Sequence, residues 1–152
     1  MQERRSVAIR LMRRDDLDVV IDLASKAFGE EYRPDATSDF SHSFSGTKYS
    51  PATLVAVDGG SIVGIVQVVW GYLMPDTYII SWLCVWPERQ RNGIGSALMD
   101  EVLRYISDDL LGGRRGTVYL SAAVGRNYYG RWGFVSGPSN HHDAAIMLKV
   151  VN

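Results

Sequence analysis

Cysteine occurs once in this chain, at Cys84, so no internal disulfide can form and the signature of an oxidising compartment is missing. Long apolar runs are missing too: nothing approaches the ~20 residues that a membrane-spanning helix needs. The opening Met-Gln-Glu-Arg-Arg has no apolar core of the kind a secretory leader carries. The expectation is a cytoplasmic protein with no membrane contact. Charge of one sign is not in excess, with 16 basic against 17 acidic residues and a net charge of −1. General nucleic-acid binding therefore lacks its electrostatic basis, leaving only a local basic cluster at Arg89, Arg91, Arg114 and Arg115. Histidine is sparse at three residues. His141-His142-Asp143 reads as a polar loop rather than a metal site, because successive residues of an extended chain point opposite ways. No metal is expected.

What is present suits one domain spanning residues 1–152, with 46% hydrophobic and 22% charged residues. Val7, Ile9 and Leu11 alternate as in a short strand. Asp15 can cap a following helix whose buried face is Leu17, Ile21, Ala24 and Phe28. Residues 29–50 are polar and aromatic, with a weak helical pattern at 35–44. Leu54, Val55 and Val57 open a hairpin that turns at Asp58-Gly59-Gly60, and residues 61–72 read as a central strand. Residues 77–86 form the next strand, stopped by Pro87. Ile94, Leu98, Val102 and Ile106, widened by Met99, Leu103 and Leu110, give a half-buried helix ended by Gly112-Gly113. A strand at 117–122, a short helix at 126–132 and strands at 134–135 and 144–151 complete the order. The fold class is α/β, a central mixed sheet flanked by helices.

The most informative stretch is Gln90-Arg91-Asn92-Gly93-Ile94-Gly95, at a strand-to-helix turn. Glycines there let the backbone approach a bulky ligand, and free N–H groups with the positive end of a helix dipole favour a phosphate. No G-x-x-x-x-G-K-[ST] string exists, and Leu98 stands where a dinucleotide fingerprint wants its third glycine. The pattern that fits is Q/R-x-x-G-x-G/A after a strand ending Val85-Trp86-Pro87. It resembles the acetyl-CoA-binding segment of the GNAT superfamily of N-acetyltransferases. Further on, Asn127-Tyr128-Tyr129-Gly130-Arg131-Trp132-Gly133-Phe134 resembles the superfamily's Y-x-[KR]-x-G-F motif, in family order.

That resemblance implies a GNAT-like acyl-CoA N-acyltransferase fold. It also implies direct transfer of an acetyl group from acetyl-CoA, as co-substrate, to a primary amine. Leu83, Cys84 and Val85 fall where the family's backbone pairs with the pantetheine arm, and Gln90, Arg91, Asn92, Gly93, Ile94, Gly95 and Ser96 where it holds the pyrophosphate. Tyr129 falls where the family keeps the general acid, with Tyr128 as a packing residue and Cys84 as a buried structural thiol. Two features depart from the pattern: Ala122 stands where many relatives carry asparagine, and residues 77–86 contain no carboxylate to serve as base. The base candidates are Glu30, Glu31, Asp35 and Asp76, or a water held by Ser81 or Tyr78. Glu30, Glu31, Tyr32, Asp35, Phe40 and Phe44, with Trp70, Tyr72 and Tyr78 as aromatic walls, are the acceptor candidates. Carboxylates beside aromatic faces suit a small cationic amine. Three alternatives stay open: a non-catalytic acyl-CoA- or partner-binding domain, an enzyme acting on a protein or aminoacyl-tRNA, and transfer of a longer acyl group. A homodimer is also allowed.

Overall fold

A computed structural model describes residues 7–122, 126–141 and 144–152. The charged N-terminal residues, and His142 and Asp143 of the His-His-Asp run, lie outside the described residues. The chain forms β1 (Ala8–Leu11), α1 (Leu17–Phe28), α2 (Arg33–Ser41), β2 (Ala52–Asp58), β3 (Ser61–Trp70), β4 (Thr77–Val85), α3 (Ile94–Arg104), β5 (Gly116–Ala122), α4 (Arg126–Gly130), β6 (Val135–Ser136) and β7 (Ala145–Val151). The seven strands make one mixed sheet in the order β1-β2-β3-β4-β5-β7-β6. Every pairing is antiparallel except β4 with β5.

The β2–β3 hairpin turns at Gly59 and Gly60, whose φ values of 57° and 85° are the pair of positive angles that a type I′ turn needs. β3 is buried without a break from Ile62 to Val68, as befits a strand covered on both faces. On one face Leu98, Met99, Val102 and Ile106 pack on Leu54, Val66, Val68, Ile80 and Val118. On the other, Val20, Leu23 and Ala24 of α1 and Phe40 of α2 pack on Val55, Ile65 and Cys84. Among the described residues no helix is long and apolar enough to cross a membrane.

Three local readings are corrected. The acid that ties down the start of α1 is Asp16, not Asp15: its carboxylate accepts the Arg13 N–H and the Arg10 guanidinium, both at 2.7 Å. The buried stripe of α1 runs through Val20, Ile21, Leu23 and Ala24, while Phe28, in the last position of the helix, is 44% exposed and meets only the edge of the packing at Trp82. After Arg104 the helix widens to a π-helix at Tyr105–Leu110, where the Leu111 N–H bonds to the Ile106 carbonyl five residues back, at 2.8 Å. The added residue in that turn puts Leu111, rather than Leu110, into the core. The weak helical pattern at 35–44 is α2, begun earlier by Pro34 in its first turn and buried only through Ala36 and Phe40.

Candidate active site

The site begins with a split in the sheet. β4 and β5 pair only at Thr77–Thr117, Tyr78–Val118 and Ile79–Tyr119, although β4 runs on to Val85 and β5 to Ala122. The cause lies on the other side of β4. Against β3 the register slips between Ile65–Cys84 and Gln67–Ser81, so β4 carries one extra residue there. Trp82 takes a φ of +54° within this bulge. A bulge bends and overtwists its strand, and here it carries β4 away from β5. Among the described residues, the β5-facing edge of β4 beyond Ile79 has no strand partner.

Beyond that edge the Gln90 side chain donates to the Val85 carbonyl at 3.2 Å and fixes the turn into α3. Arg91 and Gly93 both take positive φ, 67° and 80°. The first helical bond of α3 is the Ala97 N–H to the Gly93 carbonyl, at 3.0 Å. The backbone N–H groups from Arg91 through Ser96 have no acceptor among the described residues. A run of unfilled donors at the positive end of a helix is an anion cradle.

A cavity of about 530 Å³ lies over this turn. Leu83, Cys84, Val85, Gln90, Arg91, Gly93, Ile94, Gly95 and Ser96 line it, whereas Asn92 points away as exposed surface. The cavity has three further walls, Arg89, Tyr128 and Arg131. The Tyr128 hydroxyl is 3.5 Å from Ser96 Oγ, and a Cβ on Gly95 would come within 3.0 Å of it. Tyr128 is thus part of the cavity and not only packing. The Arg131 guanidinium stands 4.3 Å from the Tyr128 ring centroid and 5.1 Å from that of Trp132. Arg89 is paired with Asp58, while Arg91 and Arg131 have no carboxylate partner among the described residues. Arg131 was legible as the [KR] of the second motif. Arg89 was legible with Arg91 as a positive charge beside the turn, whereas Tyr128 was read as packing.

Tyr129 sits next to this wall. Its ring meets Tyr128 at 5.3 Å and Phe134 at 6.4 Å, both edge-on. Burial, then the neighbouring Tyr128, hold its phenol above the ordinary tyrosine value. The hydroxyl has no hydrogen-bond partner among the described residues, yet it is not sealed from solvent. Cys84 is buried, and desolvation pushes its thiol up to about 12. A thiol so protonated is a poor nucleophile.

The acceptor candidates fall into separate groups. Glu30 is bound to Arg33 at 2.8 Å, and Glu31, Tyr32 and Asp35 are exposed. Phe40 is fully buried on the α1–α2 face. Trp70 and Tyr78 lie at the closed end of the β4–β5 pair, lining a second cavity of about 440 Å³ with Tyr49, Asp76 and Tyr105. Asp76 is paired there with Arg114 at 3.1 Å. The lining of that cavity includes Trp70 and Tyr78 and none of residues 30–35.

The model of the acetyltransferase (GNAT) domain matches residues 50–136, more than half of the chain. No curated relative matches the chain by sequence. Among solved structures, an acetyltransferase of the GNAT family from Staphylococcus aureus Mu50 superposes with a TM-score of 0.77 at 14% identity, covering 97% of this chain and 100% of that one. A GNAT family acetyltransferase from Brucella melitensis, in complex with acetyl-CoA, superposes at 0.72 with 20% identity, over 97% and 90% of the two chains. An aminoglycoside 6′-N-acetyltransferase complexed with coenzyme A superposes at 0.75 with 17% identity, over 94% and 96%. The split between β4 and β5, the cradle at the start of α3 and the domain match agree: this chain belongs to the GNAT family of acyl-CoA-dependent acetyltransferases.

Proposed function

We propose that the chain transfers an acetyl group from acetyl-CoA directly to a primary amine of a small molecule. The observation that carries this reading is the run of unfilled N–H donors at Arg91–Ser96, set immediately past the unpaired edge of β4. Such a cradle fits a pyrophosphate, with Arg91 and Arg131 adding charge. A strand edge bent away from its neighbour fits an extended, amide-bearing arm lying alongside Leu83–Val85. Acetyl-CoA combines both parts, and two of the solved relatives hold coenzyme A or acetyl-CoA. When bound, it supplies a thioester carbonyl for the amine to attack.

The chain's own residues have two tasks. An alkylamine with a pKa of about 10.4 is less than one part in ~1,000 neutral at pH 7, which costs about 4–5 kcal/mol to correct. The departing sulfur also needs a proton. Tyr129 is the donor: its phenol is neutral at physiological pH and sits beside the cavity wall. Its proton goes to the sulfur as the C–S bond breaks. The proton that the nitrogen loses on forming the C–N bond restores the phenol. Starting from an ammonium, the sum is acetamide, free thiol and one proton released to water. No carboxylate lies on β4 to take that first proton, so water in the open split carries it. Among the described residues no group of side chains could hold a metal ion, and none is invoked.

The test is a panel of alkylamines, aminoglycosides, amino acids and arylamines with acetyl-CoA, read by free thiol and by the mass of the product. One amine gaining one acetyl group per thiol released supports the reading. Thiol release without any acetylated amine overturns it.

A further inference from the structure

One acid that the sequence does not mark is held by the two central strands. Asp39, on α2, accepts the Trp82 indole N–H on its Oδ2 at 2.9 Å. Its backbone carbonyl accepts the Gln67 amide at 3.2 Å, and Gln67 is buried on β3, also donating to Thr53 Oγ1 at 3.2 Å. Side chain and backbone of Asp39 are thus tied to the two central strands at the bulge. Trp82 is the positive-φ residue of that bulge, immediately before Leu83 on the cavity wall. A carboxylate offers about four lone-pair sites, and the indole fills one. The Asp39 side chain has no cationic partner among the described residues, though it is half-buried. Against the Trp82 ring, Phe28 stands edge-on at 5.3 Å and remains 44% exposed, and the buried Phe40 lies at 5.5 Å. A fixed carboxylate with lone pairs to spare, near the exposed Phe28 ring, suits an alkylammonium group.

A carboxylate gripping the reacting nitrogen would hold its proton in place and oppose attack. The geometry points to the other end of the acceptor. We propose that Asp39, oriented by Trp82, binds a second, non-reacting ammonium group, which makes the preferred acceptor a diamine or polyamine rather than a monoamine. This rests on the amine-acetylating reading above and adds the substrate class.

The experiment compares 1,4-diaminobutane with n-butylamine, on the wild-type chain and on Asp39→Asn. Asparagine keeps an oxygen for the Trp82 N–H and removes only the charge. CoA affinity and thermal melting monitor the fold. The expected result is a wild-type kcat/KM about 10–100-fold higher for the diamine, the range that one charged hydrogen bond supplies. In Asp39→Asn that preference collapses through KM, while the monoamine is used as before. Equal use of both amines by the wild type overturns the proposal even if the variant fails to fold. An equal loss on both amines in Asp39→Asn makes the residue structural and also overturns it. Failure of the wild type to acetylate any amine removes the parent reading and this one together.

Discussion

Burial sets the chemistry of Tyr129 and Cys84 in the same direction, toward the protonated form. For the general-acid role proposed for Tyr129 that is an advantage, because such an acid must hold its proton until the sulfur needs it. Tyr129→Phe should keep CoA affinity and lower kcat by about 10²–10⁴-fold, the usual worth of a positioned acid. In the wild type, the alkaline fall of kcat should lie above pH 10, since the phenol is raised from that value. A kcat unchanged by Phe on a good acceptor would make Tyr129 a packing residue. Cys84 carries a different signature. Its folded thiol is raised from 9.0 to about 12, so the stability it contributes is complete below pH 9 and is lost as the pH climbs toward 12. Urea unfolding of wild type and Cys84→Ala across pH 8–11 should show a steeper loss in the wild type. Parallel slopes would mean that the thiol is hydrated in the fold.

α3 carries both the core and the cradle, and its two ends answer to different substitutions. Leu98 is fully buried under β3, so Leu98→Ala should cost about 2–5 kcal/mol in the urea midpoint. Gly93 lies in the left-handed region with open space where a side chain would project, and Gly95 faces the Tyr128 hydroxyl. Gly93→Val and Gly95→Val should each weaken CoA binding by about 10²-fold, through a filled cradle and the loss of one charged hydrogen bond or two. Calorimetry showing undiminished affinity in both would separate the cradle from the ligand. The elements were readable where their pattern was strong: the α3 stripe, the Asp58-Gly59-Gly60 turn and the apolar run of β3 follow their periodicities. α2 was faint because only Ala36 and Phe40 of its residues enter the core. The π-helical end of α3 leaves no mark in a four-residue repeat, which is why Leu111 was missed.

At the scale of the whole molecule, the proposed function depends on a sheet that comes apart. The bulge at Trp82 depends on β3 pairing, and the split it opens depends on β5, some forty residues further on. Such long-range geometry has no local code. The glycine turn at Gln90–Ser96 could therefore be read from the sequence, whereas the setting of Asp39 could not: its neighbours Gln67 and Trp82 are distant in sequence and near only in the fold. Trp70 and Tyr78 likewise meet Tyr49 and Tyr105 in the second cavity, residues from four separate parts of the chain that only the fold brings together. The measurement that bears most directly on the whole account is a crystal structure of the chain with acetyl-CoA. It should show the pyrophosphate on the backbone N–H groups of Arg91–Ser96, the pantetheine arm along the β4 edge at Leu83–Val85, and the thioester sulfur within hydrogen-bonding reach of the Tyr129 hydroxyl. Acetyl-CoA lodged instead in the cavity around Tyr49 and Trp70, or a sulfur beyond the reach of Tyr129, would contradict it.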